Sequence, residues 1–347
     1  MRFVDCFYLA QAELSNMQHF YYTPVLIWNR GIALNPFPYA FDNKRYHTLA
    51  YHNRRQNCNT QKAVLDAGMT CPNLDGICGV GGCIFCDGGS GGFTPGSHLS
   101  VAQQLAAETE RIRRKRPQAG IIAYFQAHTN TYAPVETLRA LYREALDTGA
   151  DGLSIATRPD CIDDAVLALL REFAAEAPLT VELGLQTSCD ATAVRINRGY
   201  PYAVFETCFV RLRKAGIRVC VHIIDGLPGE GETEMLATAA ALARLRPDAV
   251  KIHLLHVLRG TALAALYARG DYTPMAFDAY VDIVIRQLEL LPQETVIERI
   301  TGDGDKRKLL APLWSRDKIR VLGTIDREMA SRNTWQGRLY SPDGLHL

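Results

Sequence analysis

Six short apolar runs alternate along the chain with longer stretches that can each hold a helix, and this alternation constrains the fold more than any other feature. The runs are rich in β-branched and aromatic residues, which favour buried strands. They lie at residues 61–67, 120–127, 151–156, 179–186, 217–224 and 249–254. The helical stretches lie at residues 102–116, 135–147, 164–174, 202–215, 232–245 and 275–290. Strands that alternate with helices in this way predict parallel βα units.

The number of units predicts an incomplete barrel. Six units are too many for a small open sheet and fewer than the eight of a complete barrel. A seventh strand is expected at residues 295–300. We therefore expect an α/β fold in which residues 34–300 form a partial (β/α)6 TIM-type barrel. Residues 301–347 are expected to be a C-terminal extension that packs on this barrel.

The first 33 residues differ in composition from the rest of the chain. They are rich in aromatic residues, poor in charge and without a clear period. We expect residues 1–33 to be a divergent segment outside the barrel. The same shift in composition predicts that translation starts at Met17 or at a codon just downstream.

Charge and hydropathy exclude several classes of protein. The chain has 38 Lys and Arg and 37 Asp and Glu, and this net charge of +1 argues against a strongly basic nucleic-acid coat. No run of 18 apolar residues is present, so no membrane span is expected. Asp5 and Glu13 interrupt any signal-peptide core near the start. We therefore expect a cytoplasmic protein without a membrane partner.

Four of the ten cysteines lie within 16 residues, at Cys71, Cys78, Cys83 and Cys86. In a chain without a secretory signal, such a cluster indicates a metal site more often than disulfides. Thiolates prefer zinc or iron–sulfur centres. With Cys78 as a fourth ligand, the cluster could be a closed zinc site. With three ligands, it would leave one iron of a [4Fe–4S] cluster open to a cofactor or substrate.

Unusual polar segments follow several of the predicted strands. In parallel α/β folds, functional sites gather at the carboxyl ends of the strands. The cysteine cluster follows the first strand at that end. Four further segments do so on later strands: Gln126–Thr131, Thr157–Asp160, Gln186–Ser188 and Asp225–Glu230. The sequence therefore predicts one site along this edge of the sheet.

Eight motifs in order resemble those of a known family. They lie at 35–39 with 44–49, 65–86, 123–134, 156–160, 182–186 with 196–199, 222–230, 251–256, and 301–303 with 311–314. Together they resemble the radical S-adenosylmethionine (SAM) enzymes over about residues 35 to 336. The YhcC-like branch, which is related to the radical domain of Elongator subunit 3, is the more similar one. The resemblance implies the radical SAM type of partial barrel.

The resemblance also implies a cofactor and a chemistry. Cys71, Cys83 and Cys86 would bind three irons of one [4Fe–4S] cluster, and SAM would chelate the fourth iron. An electron from the reduced cluster would cleave SAM to a 5′-deoxyadenosyl radical, which abstracts a hydrogen atom from substrate. Cys78 is expected not to be a ligand.

Six further residues are expected from the resemblance to contact SAM. Phe85 would pack near the adenine, and Gln126 would meet the amino group. Gln186 and Arg198 resemble the Gln and Arg that hold SAM in the coproporphyrinogen-type branch.

The last two expected SAM contacts depart from the family pattern. His222 aligns with an Asp of the coproporphyrinogen-type branch, and Arg158 is expected to compensate for Ala156, which replaces a Glu.

The chain also lacks a region resembling an acetyltransferase domain, so the acetylation chemistry of Elongator is not implied.

Three basic residues at the end of the sixth strand have two open interpretations. His253 and His256 could be hydrogen-bonded core residues or functional groups, because they lie where barrel enzymes place their sites. Lys251 is expected on the same face as His253 and could bind an acidic group of a substrate.

The leading hypothesis is a radical SAM enzyme whose substrate is a small molecule, a tRNA base or a protein. It would need a reductant such as flavodoxin or ferredoxin. Two alternatives are a zinc-stabilised binding or adaptor protein and an iron–sulfur electron carrier that does not use SAM. Both alternatives require Cys78 as a fourth ligand.

Overall fold

Seven parallel strands form one curled sheet that follows the order of the chain. The structure is a computed structural model, and it describes residues 37, 44–88, 96–302 and 304–341. The predicted segment 1–33 and the start at Met17 lie outside these residues. The strands of the sheet are β1 Thr60–Leu65, β2 Gly120–Phe125, β3 Gly152–Thr157, β4 Leu179–Gln186, β5 Arg218–Asp225, β6 Ala249–Leu254 and β8 Val296–Arg299.

Helices follow most of these strands, as expected for βα units. They are α1 Leu49–Arg55, α2 Val101–Arg113, α3 Val135–Asp147, α4 Asp164–Glu176, α5 Asp190–Arg195, α6 Tyr202–Lys214, α7 Glu232–Leu245, α8 Ala262–Arg269, α9 Phe277–Leu290 and α10 Lys318–Ser331. Two short strands, β7 Val257–Leu258 and β9 Leu309–Ala311, pair antiparallel outside the main sheet. The architecture is therefore the expected α/β partial barrel, with the seventh strand present.

Local sequence explains where the helices begin. Ser100 accepts a hydrogen bond from the backbone of Gln103, and the Gln103 side chain accepts one from the backbone of Ser100, which forms a capping box at α2. Asp163 caps α4 in a similar way by accepting from the amide of Val166. The inward faces of the helices then pack on the sheet through buried apolar side chains. Among these, Leu138 is fully buried.

The strand β4 carries an irregularity that matters for the site. Its register with β5 shifts between Gly184 and Gln186. Gln186 has a φ of +60°, a left-handed conformation that is uncommon for a residue with a side chain. Such irregularities reorient a side chain at the end of a strand and are frequent next to functional sites.

The C-terminal part of the described chain packs against the barrel. The helix α10 contacts α9, and Lys44 forms an ion pair with Asp326 of α10. The indole of Trp314 donates a hydrogen bond to the backbone carbonyl of Met275 at 3.1 Å. The boundary at residue 300 between the barrel and the C-terminal extension stays a prediction.

Within the described ranges, no helix is both long and apolar enough to span a bilayer.

Candidate functional site

A cavity of about 390 Å³ opens at the carboxyl ends of the strands. It brings together all of the site residues expected from the sequence, namely Cys71, Cys83, Phe85, Cys86, Gln126, Arg158, Gln186, Arg198 and His222. Other lining residues were not among the expected SAM contacts, including Tyr124, Glu182, Tyr200, Lys251, His253, His256 and Arg299. The roles of the nine expected residues as cluster ligands or SAM contacts remain predictions. Their location around one cavity is a property of the fold.

The loop that carries the cysteines is anchored by a buried asparagine. The amide of Asn73 is fully buried and donates hydrogen bonds to the backbone carbonyl of Asn197 at 2.5 Å and to the sulfur of Cys83 at 3.6 Å. The backbone of Ile84 donates to the carbonyl of Ile196 at 3.1 Å. These bonds tie the loop to the segment that follows α5, so the loop lies across the top of the barrel.

The thiols carry the chemistry of a soft metal site. Burial, together with the nearby Cys86 and Cys71, raises the pKa of Cys83 to about 12. Burial also raises the pKa of Cys86. Thiols of this kind ionise when a metal replaces the proton. Three thiols on one loop suit a [4Fe–4S] cluster that keeps one iron open, so the residues present fit this group.

The described residues form no ready-made site for a single metal ion. Across the described ranges, no three His, Cys, Asp or Glu side chains are arranged to hold one ion. A four-iron cluster does not need its thiols to converge on one point, because each thiolate binds a different iron.

Arg158 stands between two of the cysteines. It donates to the sulfur of Cys78 at 3.3 Å and lies 4.0 Å from that of Cys71. Asp160 holds its guanidinium by an ion pair at 2.6 Å, and a further bond at 2.9 Å goes to the backbone carbonyl of Arg198. The residue therefore faces the cysteine loop with its position fixed by several partners. The sulfur of Cys78 is engaged by this cation.

Gln186 is held by a neighbouring phenol. The hydroxyl of Tyr200 donates to the backbone carbonyl of Gly184 at 2.8 Å and lies 3.2 Å from Oε1 of Gln186. The ring of Tyr200 is itself packed under the guanidinium of Arg198, at 4.5 Å from its centroid. Gln186 is therefore held at the end of β4 through its carbonyl oxygen.

Arg198 is largely used by the protein itself. It is 1% exposed, and its Nη1 donates to the backbone carbonyls of Leu185 and Thr187 at 2.5 and 2.6 Å. Its Nε donates to the carbonyl of Tyr200 at 3.0 Å. Nη2 makes no hydrogen bond and lies 3.7 Å from a carboxylate oxygen of Asp190. Arg198 thus holds the end of β4 in place.

A buried carboxylate forms the floor of the cavity, and the sequence reasoning did not assign it a role. Glu182 on β4 accepts hydrogen bonds from Tyr124 at 2.7 Å and from Ser154 at 2.8 Å. It pairs with Lys62 at 2.5 Å and with Lys251. Burial alone would raise the pKa of this carboxyl, but the two lysines outweigh it and hold the pKa well below its ordinary value.

His222 is oriented by this carboxylate. Its Nε2 lies 2.7 Å from Oε2 of Glu182. Burial and the charge of Lys251 lower the pKa of His222, so the ring is neutral near pH 7. An ionised carboxylate only accepts, hence Nε2 carries the proton. His222 therefore lines the cavity with its orientation set by Glu182, and its contact with SAM stays a prediction.

The same carboxylate engages Lys251, which the sequence suggested as a binder of an acidic substrate group. A signal for this floor was present in the sequence. Lys62, Glu182 and Lys251 are each the single charged residue of their strand, in β1, β4 and β6. Because buried charges need partners, three such residues in one sheet point to one another.

Comparisons with known proteins identify the family. The sequence profile of the Radical SAM superfamily matches residues 76–242, and that of the Radical_SAM C-terminal domain matches residues 247–331. The chain is 44% identical to YtqA of Bacillus subtilis over 310 residues, which is 88% of this chain and 96% of that protein. It is 37% identical to YhcC of Escherichia coli over 276 residues, or 79% and 88% of the two chains.

More distant relatives share part of the chain. Elongator complex protein 3 of Saccharomyces cerevisiae is 30% identical over 207 residues, which is 55% of this chain and 36% of that protein. The solved structure of the archaeal Elp3 of Methanocaldococcus infernus is similar in fold, with a TM-score of 0.64 at 16% identity over 80% of this chain and 64% of that one. The chain belongs to the radical SAM superfamily, in a YhcC-like branch that is related to Elongator complex protein 3.

Proposed function

We propose that the protein is a radical SAM enzyme that uses one [4Fe–4S] cluster to cleave SAM reductively and to generate a 5′-deoxyadenosyl radical. Cys71, Cys83 and Cys86 would hold the cluster. The observation that carries the proposal is that the three thiols line the same cavity as every residue expected to contact SAM. A closed metal site would not need such a cavity, whereas a cofactor and a substrate do.

The cluster and SAM supply the hydrogen-abstracting radical when they are bound. The residues of the chain bind and orient these groups. Phe85 packs in an apolar cluster with Leu227, Leu255 and Val257, so its ring offers a firm surface for an adenine. Gln186 and Nη2 of Arg198 are the polar groups that we expect to contact SAM at the end of β4.

The walls of the cavity would limit contact with water once the cofactor and substrate fill it. A reactive radical must meet its substrate before it meets solvent, and a lined cavity serves this purpose. The floor built on Glu182 is rigid, because hydrogen bonds and ion pairs hold both oxygens of this carboxylate. A rigid floor fixes the position of a substrate group relative to the radical.

The partners and compartment of the protein follow from the same proposal. The chemistry consumes an electron, so we propose a low-potential reductant such as flavodoxin or ferredoxin, and a cytoplasmic location. The substrate is a small molecule, a tRNA base or a protein. One relative, from Dehalococcoides mccartyi, is named a tRNA uridine(34) acetyltransferase and is 29% identical over 155 residues, 33% of that protein.

Two other functions make different demands on Cys78. A zinc-stabilised adaptor and a SAM-independent electron carrier would each need this thiol as a fourth ligand. The hydrogen bond from Arg158 to the sulfur of Cys78 at 3.3 Å favours neither of them, because it gives this thiol another partner.

An anaerobic assay tests the proposal. The protein is reconstituted with iron and sulfide, reduced, and supplied with SAM, and 5′-deoxyadenosine is measured. We expect product from the wild type and from Cys78→Ala, and none from Cys83→Ala. Cys78→Ala is the matched control, because it removes a thiol from the same loop.

The contrary outcomes are distinct. A protein that binds only zinc, and loses it in both variants, would refute the proposal in favour of the adaptor. A fully formed cluster that depends on Cys78 and leaves SAM intact would favour the electron carrier.

A further inference from the structure

A buried cation lies against the cysteine loop. The side chain of Arg158 is 10% exposed and lines the same cavity as the three proposed cluster ligands. Its Nη2 donates to the sulfur of Cys78 at 3.3 Å, and its Nη1 lies 4.0 Å from the sulfur of Cys71. A guanidinium is charged at every physiological pH, so a permanent positive charge lies next to a sulfur that we propose as a ligand.

The other donors of this guanidinium fix its position. Nε and Nη2 donate to the two carboxylate oxygens of Asp160 at 2.9 and 2.6 Å, which makes a bidentate ion pair. Nη1 donates to the backbone carbonyl of Arg198 at 2.9 Å, and the guanidinium carbon lies 4.9 Å from the ring centroid of Tyr200. Three of the five N–H groups are therefore used, and the two that remain are on the nitrogens that approach the sulfurs.

The counter-charge of Asp160 does not cancel this cation at the cysteine loop. The atoms of the ion pair that approach the sulfurs are the guanidinium nitrogens, so the pair presents its positive end to the loop. The side chain of Asp160 is 20% exposed, twice the exposed fraction of Arg158, so solvent screens the carboxylate more. The net effect at the sulfurs is a positive potential.

A positive potential at this place acts on the charge that a cluster can hold. A [4Fe–4S] cluster becomes more negative by one charge when it takes up an electron. Hydrogen bonds to the sulfurs and nearby charges are among the features that set the reduction potential of such clusters. A fixed cation stabilises the more negative state, and it does so strongly where the surroundings are buried and the dielectric constant is low.

We propose that Arg158, held in place by Asp160, raises the reduction potential of the cluster bound by Cys71, Cys83 and Cys86. The inference rests on the proposed function and deepens it by assigning a residue to the reduction step. In that step one electron passes from a low-potential flavin or iron–sulfur protein to the cluster, and no bond of Arg158 forms or breaks. This role needs no SAM, and so it differs from the SAM contact expected from the sequence.

A redox titration followed by electron paramagnetic resonance tests this role. The full chain is reconstituted with iron and sulfide in the absence of SAM and is titrated with titanium(III) citrate in the presence of mediator dyes. Arg158→Met removes the charge, Arg158→Gln removes the charge and keeps an amide donor, and Arg158→Lys keeps the charge. The iron bound per chain is measured in each variant, so that only intact clusters are compared.

We expect the midpoint potential to become more negative in Arg158→Met and in Arg158→Gln. At a given potential the ratio of reduced to oxidised cluster should fall at least about tenfold, which is the effect of one lost hydrogen bond from a charged group. For a one-electron couple, tenfold corresponds to about 59 mV. Arg158→Lys should stay closer to the wild type, because it keeps the positive charge.

Arg211→Met is the matched control for the loss of one arginine. Arg211 pairs with Asp164, and it is not among the residues that line the cavity. The midpoint potential of this variant should equal that of the wild type. An equal shift in Arg211→Met and Arg158→Met would assign the effect to the total charge of the protein and would overturn the proposal.

Three further results would overturn it. The first is an unchanged potential in Arg158→Met at normal iron content. The second is a shift that occurs only after SAM is added, since Arg158 would then act through SAM. The third is loss of the cluster in all three Arg158 variants, since the residue would then serve assembly. A wild type that shows the signal of the reduced cluster but forms no 5′-deoxyadenosine would contradict the proposed function alone.

Discussion

The buried carboxylate of Glu182 offers the sharpest test of how this barrel is held together. The proposed perturbation is Glu182→Gln, which keeps the size of the side chain and removes its charge. In the wild type the side chain of Glu182 is fully buried, and that of Lys251 is 5% exposed. Glutamine leaves the ammonium of Lys251 in the interior without its nearest counter-charge.

The size of the loss in the free energy of unfolding depends on the counter-charges that remain around Lys62 and Lys251. Removal of one member of a buried ion pair costs about 3 to 5 kcal/mol, because the other charge stays buried. Glu298 lies 3.9 Å from Lys251 and 2.8 Å from Lys62, so it still compensates them in part. We therefore expect the lower end, a loss of about 3 kcal/mol in the free energy of unfolding.

A urea titration at pH 7 measures this loss, with an unchanged slope showing that the same surface is exposed on unfolding. Glu172→Gln is a matched control, because Glu172 pairs with Arg139 on the surface with half of its side chain exposed. It should change the free energy by less than about 0.5 kcal/mol. The double variant Glu182→Gln with Lys251→Met should cost less than the sum of the two single changes, because it leaves no isolated charge.

The pH dependence provides a second readout with a defined sign. The pKa of Glu182 is depressed in the folded state from an ordinary value of 4.5. Its contribution is therefore complete above about pH 4.5 and is lost as the pH falls towards the folded pKa. Below pH 4.5 the wild type should lose stability more steeply than Glu182→Gln. A cost below about 1 kcal/mol at pH 7, or parallel acid limbs, would refute the reasoning.

Two further predictions concern the cysteine loop and the end of β4. In Gly184→Ala, the new Cβ would lie 2.7 Å from Nε2 of Gln186 and would displace that flexible side chain, so we expect weaker SAM binding by equilibrium dialysis with little change in thermal midpoint. Unchanged SAM affinity would mean that Gln186 does not contact SAM. Asn73→Ala removes the amide that joins Asn197 to the sulfur of Cys83, so we expect less iron bound per chain after reconstitution. Wild-type iron content in this variant would show that the loop holds its shape without the amide.

The strands were predictable because each is a short apolar run with turn residues at its ends. The runs 179–186 and 249–254 and the helices 135–147 and 232–245 coincide with the observed bounds, and the other predicted elements differ by a few residues at their ends. The clustering of the expected site residues was also predictable, since parallel strands end at one edge of the sheet. The contacts of each individual side chain were not predictable from the sequence. The bond between Lys62 and Glu182 joins residues 120 positions apart, so the lone charges of these strands indicate buried partners without showing which atoms pair.

The two-residue period of a strand relates the site residues that were expected at the strand ends to the residues of the cavity floor that were not expected. Side chains at i and i+2 face the same side of a sheet. Gln126 and Gln186 were expected at the mouth of the cavity, while Tyr124 and Glu182 lie two and four positions earlier on the same strands and line its floor. His253 and Lys251 repeat this relation on β6. In this barrel, the residue two or four positions before a site residue at a strand end therefore lies in the floor of the cavity.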